Sequence, residues 1–204
     1  MTTQALAGRK LSYSILVSLD GFINGPNGEL DWHVVEEEFL QFVNEQQSTV
    51  DTFLFGRRMY EVMAYWDTAE QDKTLSEGDR AFARRWNQQE KIVFSSSLGS
   101  VRGNARLAEG TLEEEILNLK ARDGSDIEIG GATLAAEAIN LGLVDEYHLF
   151  VQPVLVGSGT RAFPAAPSQQ RLQLVGSHSF RSGVIYHHYR RLDSESTRTD
   201  GVSA

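Results

Sequence analysis

Apolar positions along this chain change their period several times, and each change predicts an element. Leu11-Ser12-Tyr13-Ser14-Ile15-Leu16-Val17-Ser18-Leu19 reads as a strand whose second half is mostly apolar. Val35, Phe39, Phe42 and Val43 then recur at helical spacing. Asp51 to Phe55 predicts a short strand, and Met59, Val62, Met63 and Trp66 a short helix behind it. Ser76 and Asp79 open a helix that buries Phe82 and Trp86, and Lys91 to Phe94 is again strand-like. Thr111 followed by Glu114 is a capping box, heading a helix with Ile116, Leu117 and Leu119 inward and Gly124 just past its end. Asp126 to Ile129 is a β-like run that stops on Gly130 and Gly131, where a helix starts at once and buries Leu134, Ala138 and Leu141. Tyr147 to Val156 predicts a long strand, and Leu172 to Phe180 with Val184 to Tyr189 a hairpin around Arg181-Ser182-Gly183.

Strands alternating with helices imply a mostly parallel central sheet covered on both faces, with antiparallel edge strands from the final hairpin. The expectation is an α/β fold, one three-layer α/β/α domain over residues 10–191. Flexible termini are expected at 1–9 and 192–204, the last of them polar and rich in Ser and Thr.

Composition removes several classes of function. With no cysteine there is neither a disulfide nor a thiolate metal site. A net charge of −9 argues against a nucleic-acid surface, so any anion site must be local. The start of the chain lacks the apolar stretch of a signal peptide and no run reaches membrane-spanning length, which leaves a cytoplasmic location as the default expectation. The five histidines, His33, His148, His178, His187 and His188, show no metal-ligand spacing, and no metal is expected. Gly157-Ser158-Gly159-Thr160-Arg161-Ala162 matches a dinucleotide fingerprint as a string, but prolines at 164 and 167 forbid the helix it should open. Neither a Walker lysine motif nor a Gly-x-Ser-x-Gly elbow is present.

What remains is a set of polar or glycine-containing turns, each just after a strand. They are 19–28, Gly56-Arg57-Arg58, Ser95-Ser96-Ser97 and Gly130-Gly131. Ligands of open α/β sheets bind at the carboxyl ends of strands, so these turns can converge on one crevice. The Gly130-Gly131 turn leaves first-turn amides without side chains over them, where helix partial charge suits a phosphate or pyrophosphate. The plainer reading of each is a solvated loop, with glycine merely tolerating positive φ.

Taken in order, Ser18-Leu19-Asp20-Gly21-Phe22-Ile23, Leu30-Asp31-Trp32, Gly56-Arg57-Arg58-Met59-Tyr60-Glu61, Ser95-Ser96, Gly130-Gly131-Ala132-Thr133-Leu134 and 157–164 resemble the dihydrofolate reductase-like family. The closest branch is the C-terminal reductase domain of riboflavin biosynthesis proteins. The resemblance spans about residues 10 to 190 and implies an NADPH-dependent reductase of a small pterin- or pyrimidine-like heterocycle, working as a homodimer. It implies that Gly56, Arg57 and Arg58 meet cofactor phosphates and that Ser95 and Ser96 contact the 2′-phosphate. Gly130, Gly131, Ala132, Thr133 and Leu134 would hold the pyrophosphate, with Val17 and Ile23 beside the nicotinamide. Trp32 would line the substrate floor, Asp20 would bond a substrate hydroxyl, and Thr160 would add a second hydrogen bond. The family's helix acid has no clear counterpart; Glu37 matches by spacing from Trp32, while Glu36 and Glu38 compete and all three read equally as a solvated face. Other departures are Met59 where a Thr is usual, Ala132 in place of a third glycine and Ala135 in place of an aromatic. An NADP(H)-binding protein without catalysis, acting as a sensor, and a dimeric scaffold remain as alternatives. A dimer contact is expected near Val184 and Ile185.

Overall fold

The computed structural model describes residues 8–163 and 169–192, so most of both termini and both prolines at 164 and 167 lie outside the described residues. Arg9, expected in a flexible start, is instead buried, donating to the Ser125 carbonyl and the Thr52 hydroxyl and pairing with Asp51.

Six parallel-running elements build most of the sheet: β1 (Leu11–Ser18), β2 (Val50–Gly56), β3 (Glu90–Phe94), β4 (Ala105–Leu107), β5 (Asp126–Gly130) and β6 (Glu146–Gln152). A C-terminal hairpin, β7 (Leu172–Ser179) and β8 (Ile185–Arg191), completes eight strands in the order β4-β3-β2-β5-β1-β6-β8-β7. β8 pairs antiparallel with both β6 and β7, so it lies inside the sheet and β7 alone of the hairpin is an edge strand, β4 being the other edge. β6 stops at Gln152 rather than reaching Val156, because Pro153 has no N–H for the ladder. β4 has three residues, too few to leave a periodic signal.

The helices are α1 (Glu37–Gln46), α2 (Arg57–Met63), α3 (Trp66–Ala69), α4 (Glu77–Gln88), α5 (Leu112–Lys120) and α6 (Ala132–Asn140). The stretch expected as one helix through Trp66 is thus two. The capping box read at Thr111–Glu114 forms, and the helix start expected at Ser76 and Asp79 is a second one. Leu117 and Leu141 face solvent, contrary to the periodicity reading. α6 packs instead through Ala132, Ala135, Ala138 and Ile139, whose small side chains let it lie close to the sheet.

Alternation along the strands divides the two faces. Leu11, Tyr13, Leu54, Ile92, Ile127, Ile129 and Tyr147 pack under α5 and α6. The opposite face carries two separate apolar groups, Phe53, Phe55 and Val93 with Tyr60 and Trp86, and Phe150 and Tyr186 with Phe39. Between them the same face turns polar, through Ser12 and Ser14 of β1, Glu128 of β5, Glu146 and His148 of β6 and His188 of β8.

Candidate functional site

The carboxyl ends of β1, β2, β3, β5 and β6 lie along one edge of the sheet because these strands run parallel. The turns after β2 and β5 are neighbours there, since Phe55 pairs with Gly130. Gly56, Arg57, Arg58, Phe94, Thr133, Leu134 and Glu137 line a cavity of about 470 Å³ between them. Arg57 and Arg58 are exposed; Glu61 lies 3.9 Å from Arg57, and Glu137 lines the same cavity. Little side-chain hydrogen bonding therefore competes for these guanidinium groups.

The two glycines after β5 are required for different reasons. A Cβ at Gly130 would lie 2.5 Å from Cε1 of Phe55, so the aromatic ring occupies that space. Gly131 adopts φ 88°, which L side chains rarely take, and forms the N-cap of α6. No side chain caps α6, whereas Ser76 and Thr111 cap α4 and α5. The first-turn amides at Ala132, Thr133 and Leu134 thus have no intrahelical acceptor and no capping oxygen, and the helix dipole adds positive potential there.

The turn after β3 is shaped by Ser95, whose Oγ accepts from the amides of Ser97 (3.2 Å) and Leu98 (3.0 Å). Ser96 is exposed beside it.

The loop after β1 is clasped by the loop after β6. Ser18 Oγ donates to Asp20 at 2.6 Å, and the amides of Val156 (3.1 Å) and Gly157 (2.7 Å) donate to the same carboxylate. These donors, the Ser18 hydroxyl first, hold the Asp20 carboxyl down at about 2. The Ile23 amide donates to the Thr160 carbonyl at 2.8 Å, Thr160 N donates to Asn24 at 3.0 Å, and Phe22 bridges Arg161. Val17 is buried just before this clasp.

Behind the loop, Trp32 meets His33 edge-on at 4.3 Å, and the Val34 amide donates to Gln152 Oε1 at 3.0 Å. Trp32 Nε1, His33 Nε2 and Gln152 Nε2 are buried without a protein partner among the described residues. Buried polar atoms normally have partners, so three unpaired groups here mark a place for polar ligand atoms. Burial pushes the His33 imidazole below its ordinary value, against an opposing bond to the Ile23 backbone. Gln152 and His33 carry no sequence signal of their own; only pairing of Gln152 with Ser18 across β6 and β1 shows where they sit. Glu37 lies on the first turn of α1, exposed and bonded by Gln41 at 3.3 Å. It is not bonded to Trp32, His33 or Gln152.

A family model described as the RibD C-terminal domain matches residues 9–186. The chain belongs to that family. The RibD C-terminal match is accompanied by a relative 32% identical over 186 residues, covering 90% of this chain and 95% of its own length: the uncharacterized protein YyaP of Bacillus subtilis strain 168. Among solved structures, a pyrimidine reductase-like protein from Corynebacterium diphtheriae superposes with TM-score 0.65 at 16% identity, over 91% of this chain and 92% of its own. Dihydrofolate reductase from Enterococcus faecalis, complexed with NADP(H), gives TM-score 0.61 at 19% identity, over 90% of this chain and 97% of its own. At such identities the likeness is one of fold, and the fold is dihydrofolate reductase-like. No described helix of this RibD C-terminal domain is long and apolar enough to cross a membrane.

Proposed function

We propose that this chain is an NADPH-dependent reductase acting on a small pterin- or pyrimidine-like heterocycle. The observation that carries the reading is the uncapped start of α6 facing Arg57 and Arg58 across one cavity. That pairing of bare amides and exposed guanidinium groups fits the phosphates of a dinucleotide. The NADP(H) complex of the dihydrofolate reductase and the pyrimidine reductase-like neighbour support the same assignment.

In this reading Gly56, Arg57, Arg58 and Ser96 hold the 2′-phosphate side. Ala132, Thr133 and Leu134 present amides to the pyrophosphate, and Val17 and Ile23 flank the nicotinamide. When bound, NADPH supplies the hydride for a C=N or C=O carbon. Trp32, His33 and Gln152 orient the heterocycle through polar atoms the protein leaves unpaired. Asp20, ionised and held by three donors, fixes the loop and accepts a substrate hydroxyl, but has no proton to give. With Glu37 in solvent, water protonates the product.

Titration calorimetry with NADPH and NADH tests the cofactor, and loss of nicotinamide near-ultraviolet absorbance across a panel of heterocycles tests turnover. NADPH binding at least tenfold tighter than NADH is expected; equal affinities would refute the 2′-phosphate assignment. Tight NADPH binding without turnover of any heterocycle favours the sensor reading.

We also propose a homodimer. Val184, expected in its interface, is fully buried against Phe39 and Phe150 and is unavailable. Leu172, Leu174 and Val175 on the edge strand β7, with Ile185, are exposed and supply the apolar surface instead.

A further inference from the structure

Beneath α1, at the opposite end of the strands from the cofactor groove, a second constellation forms on the polar stretch of the sheet. His148 of β6 stands directly across from His188 of β8, and Glu146 lies two residues before His148 on the same face. One ligating atom from each of the three lies within 4.8 Å of the other two. The imidazole rings stack at 4.4 Å and 18°. All three side chains line a cavity of about 130 Å³, together with Ser14, Asp126 and Glu128. Phe150, packed on Phe39 and Phe42, separates this cavity from Gln152 and the substrate end of β6.

We infer that Glu146, His148 and His188 form a binding site for a divalent transition-metal ion of the Zn²⁺ or Co²⁺ type, with water from the cavity completing its coordination. Hydrogen bonding prepares the ligands. Gln46 Oε1 only accepts, so the Tyr186 hydroxyl gives it its proton at 3.2 Å. At 2.6 Å the Tyr186 oxygen must then accept from His148 Nδ1–H, leaving His148 Nε2 with a free lone pair. This is the outer-shell bond that fixes the tautomer of metal-binding histidines. His188 Nε2 faces Glu146 Oε2 at 3.0 Å, and the metal takes the place of the proton between them while that proton moves to Nδ1 or to solvent.

The opposing effect is local positive charge. Lys10 (2.8 Å) and Arg190 (3.1 Å) both bond Glu146, but both use Oε1 and leave Oε2 to the metal. Their side chains are 41% and 49% exposed, so either can swing into water. The Asp126 carboxylate on the cavity wall favours a cation further. Tetrahedral bonds of 2.0–2.1 Å set ligand atoms about 3.3 Å apart, so the observed spread has to close by roughly 1.5 Å. Rotation of the three side chains supplies that.

The test is Co²⁺ titration of wild-type protein stripped with chelator, read by visible d–d absorption. One equivalent is expected to bind, and Zn²⁺ is expected to displace it. His148→Gln and His188→Gln should each weaken binding by tenfold or more. Tyr186→Phe should weaken it by about ten- to a hundredfold while keeping all three ligands. His187→Gln, on the opposite face of β8, should leave it unchanged. Absence of the Co²⁺ bands in wild type would overturn the site, as would bands of wild-type strength in folded His148→Gln and His188→Gln proteins. NADPH affinity, measured in parallel, is expected not to change in any of these variants.

Discussion

A methyl group added at Gly130 would meet the Phe55 ring at 2.5 Å, in a core where Phe55 is almost fully buried and stacked on Phe53. Gly130→Ala is therefore expected to cost about 1–3 kcal/mol, read as a lower urea midpoint. Gly131→Ala places a Cβ at positive φ, costing roughly 1–2 kcal/mol. Arg57→Ala and Arg58→Ala cost little stability, since both are exposed, yet each should lose about 1.5–3 kcal/mol of NADPH affinity in calorimetry, the weight of a charge-assisted bond. Glu128 gives a pH signature. Burial raises its carboxyl from 4.5 to about 7, against the Gln47 amide at 2.9 Å and the charge of Arg85. The folded state thus holds this proton more tightly than the unfolded chain, so its contribution is complete below 4.5 and is lost as pH rises through about 7. Urea midpoints of Glu128→Gln, taken with chelator present, should fall less than wild type across that window; parallel curves would refute the assignment.

Two helix starts carry reciprocal capping boxes and the α6 start does not. α4 and α5 are capped by Ser76 and Thr111, while α6 starts beside the groove with glycine as its N-cap. Thr111→Ala should cost about 1 kcal/mol of stability without touching cofactor binding. In the clasp between the loops after β1 and β6, one carboxylate accepts from the amides of Val156 and Gly157 beside several backbone bonds. Asp20→Ala should leave the sheet intact and make residues 157–163 cut faster in limited proteolysis; unchanged cleavage would show that the backbone bonds at Ile23 and Ala162 suffice. Element identity was largely readable: the Thr111 capping box, the helix start at Ser76, the Gly130-Gly131 turn and the hairpin lie where the pattern places them. The lapses have local causes. β4 is too short for a period, Pro153 ends β6 early, and an amphipathic stretch of residues 59–66 hides a break between α2 and α3.

Across the whole molecule, β7 is an eight-residue edge strand with exposed Leu172, Leu174 and Val175. Leu174→Lys should convert a sedimenting dimer to monomer, and a monomeric wild type would remove the dimer proposal. The strand-end groove and the polar cavity under α1 occupy opposite ends of the same sheet, so their ligands should bind independently. Local sequence determined the strands, the helices, the capped ends and the glycine turn, because these follow from side-chain period and backbone preference within a few residues. Their order also pointed to the family. Tertiary structure alone decided which residues meet across strands: His148 with His188, Gln152 with Val34, Asp20 with Gly157. Those partners are separated by tens to more than a hundred positions, and their contact depends on sheet order and register, which no spacing along the chain encodes.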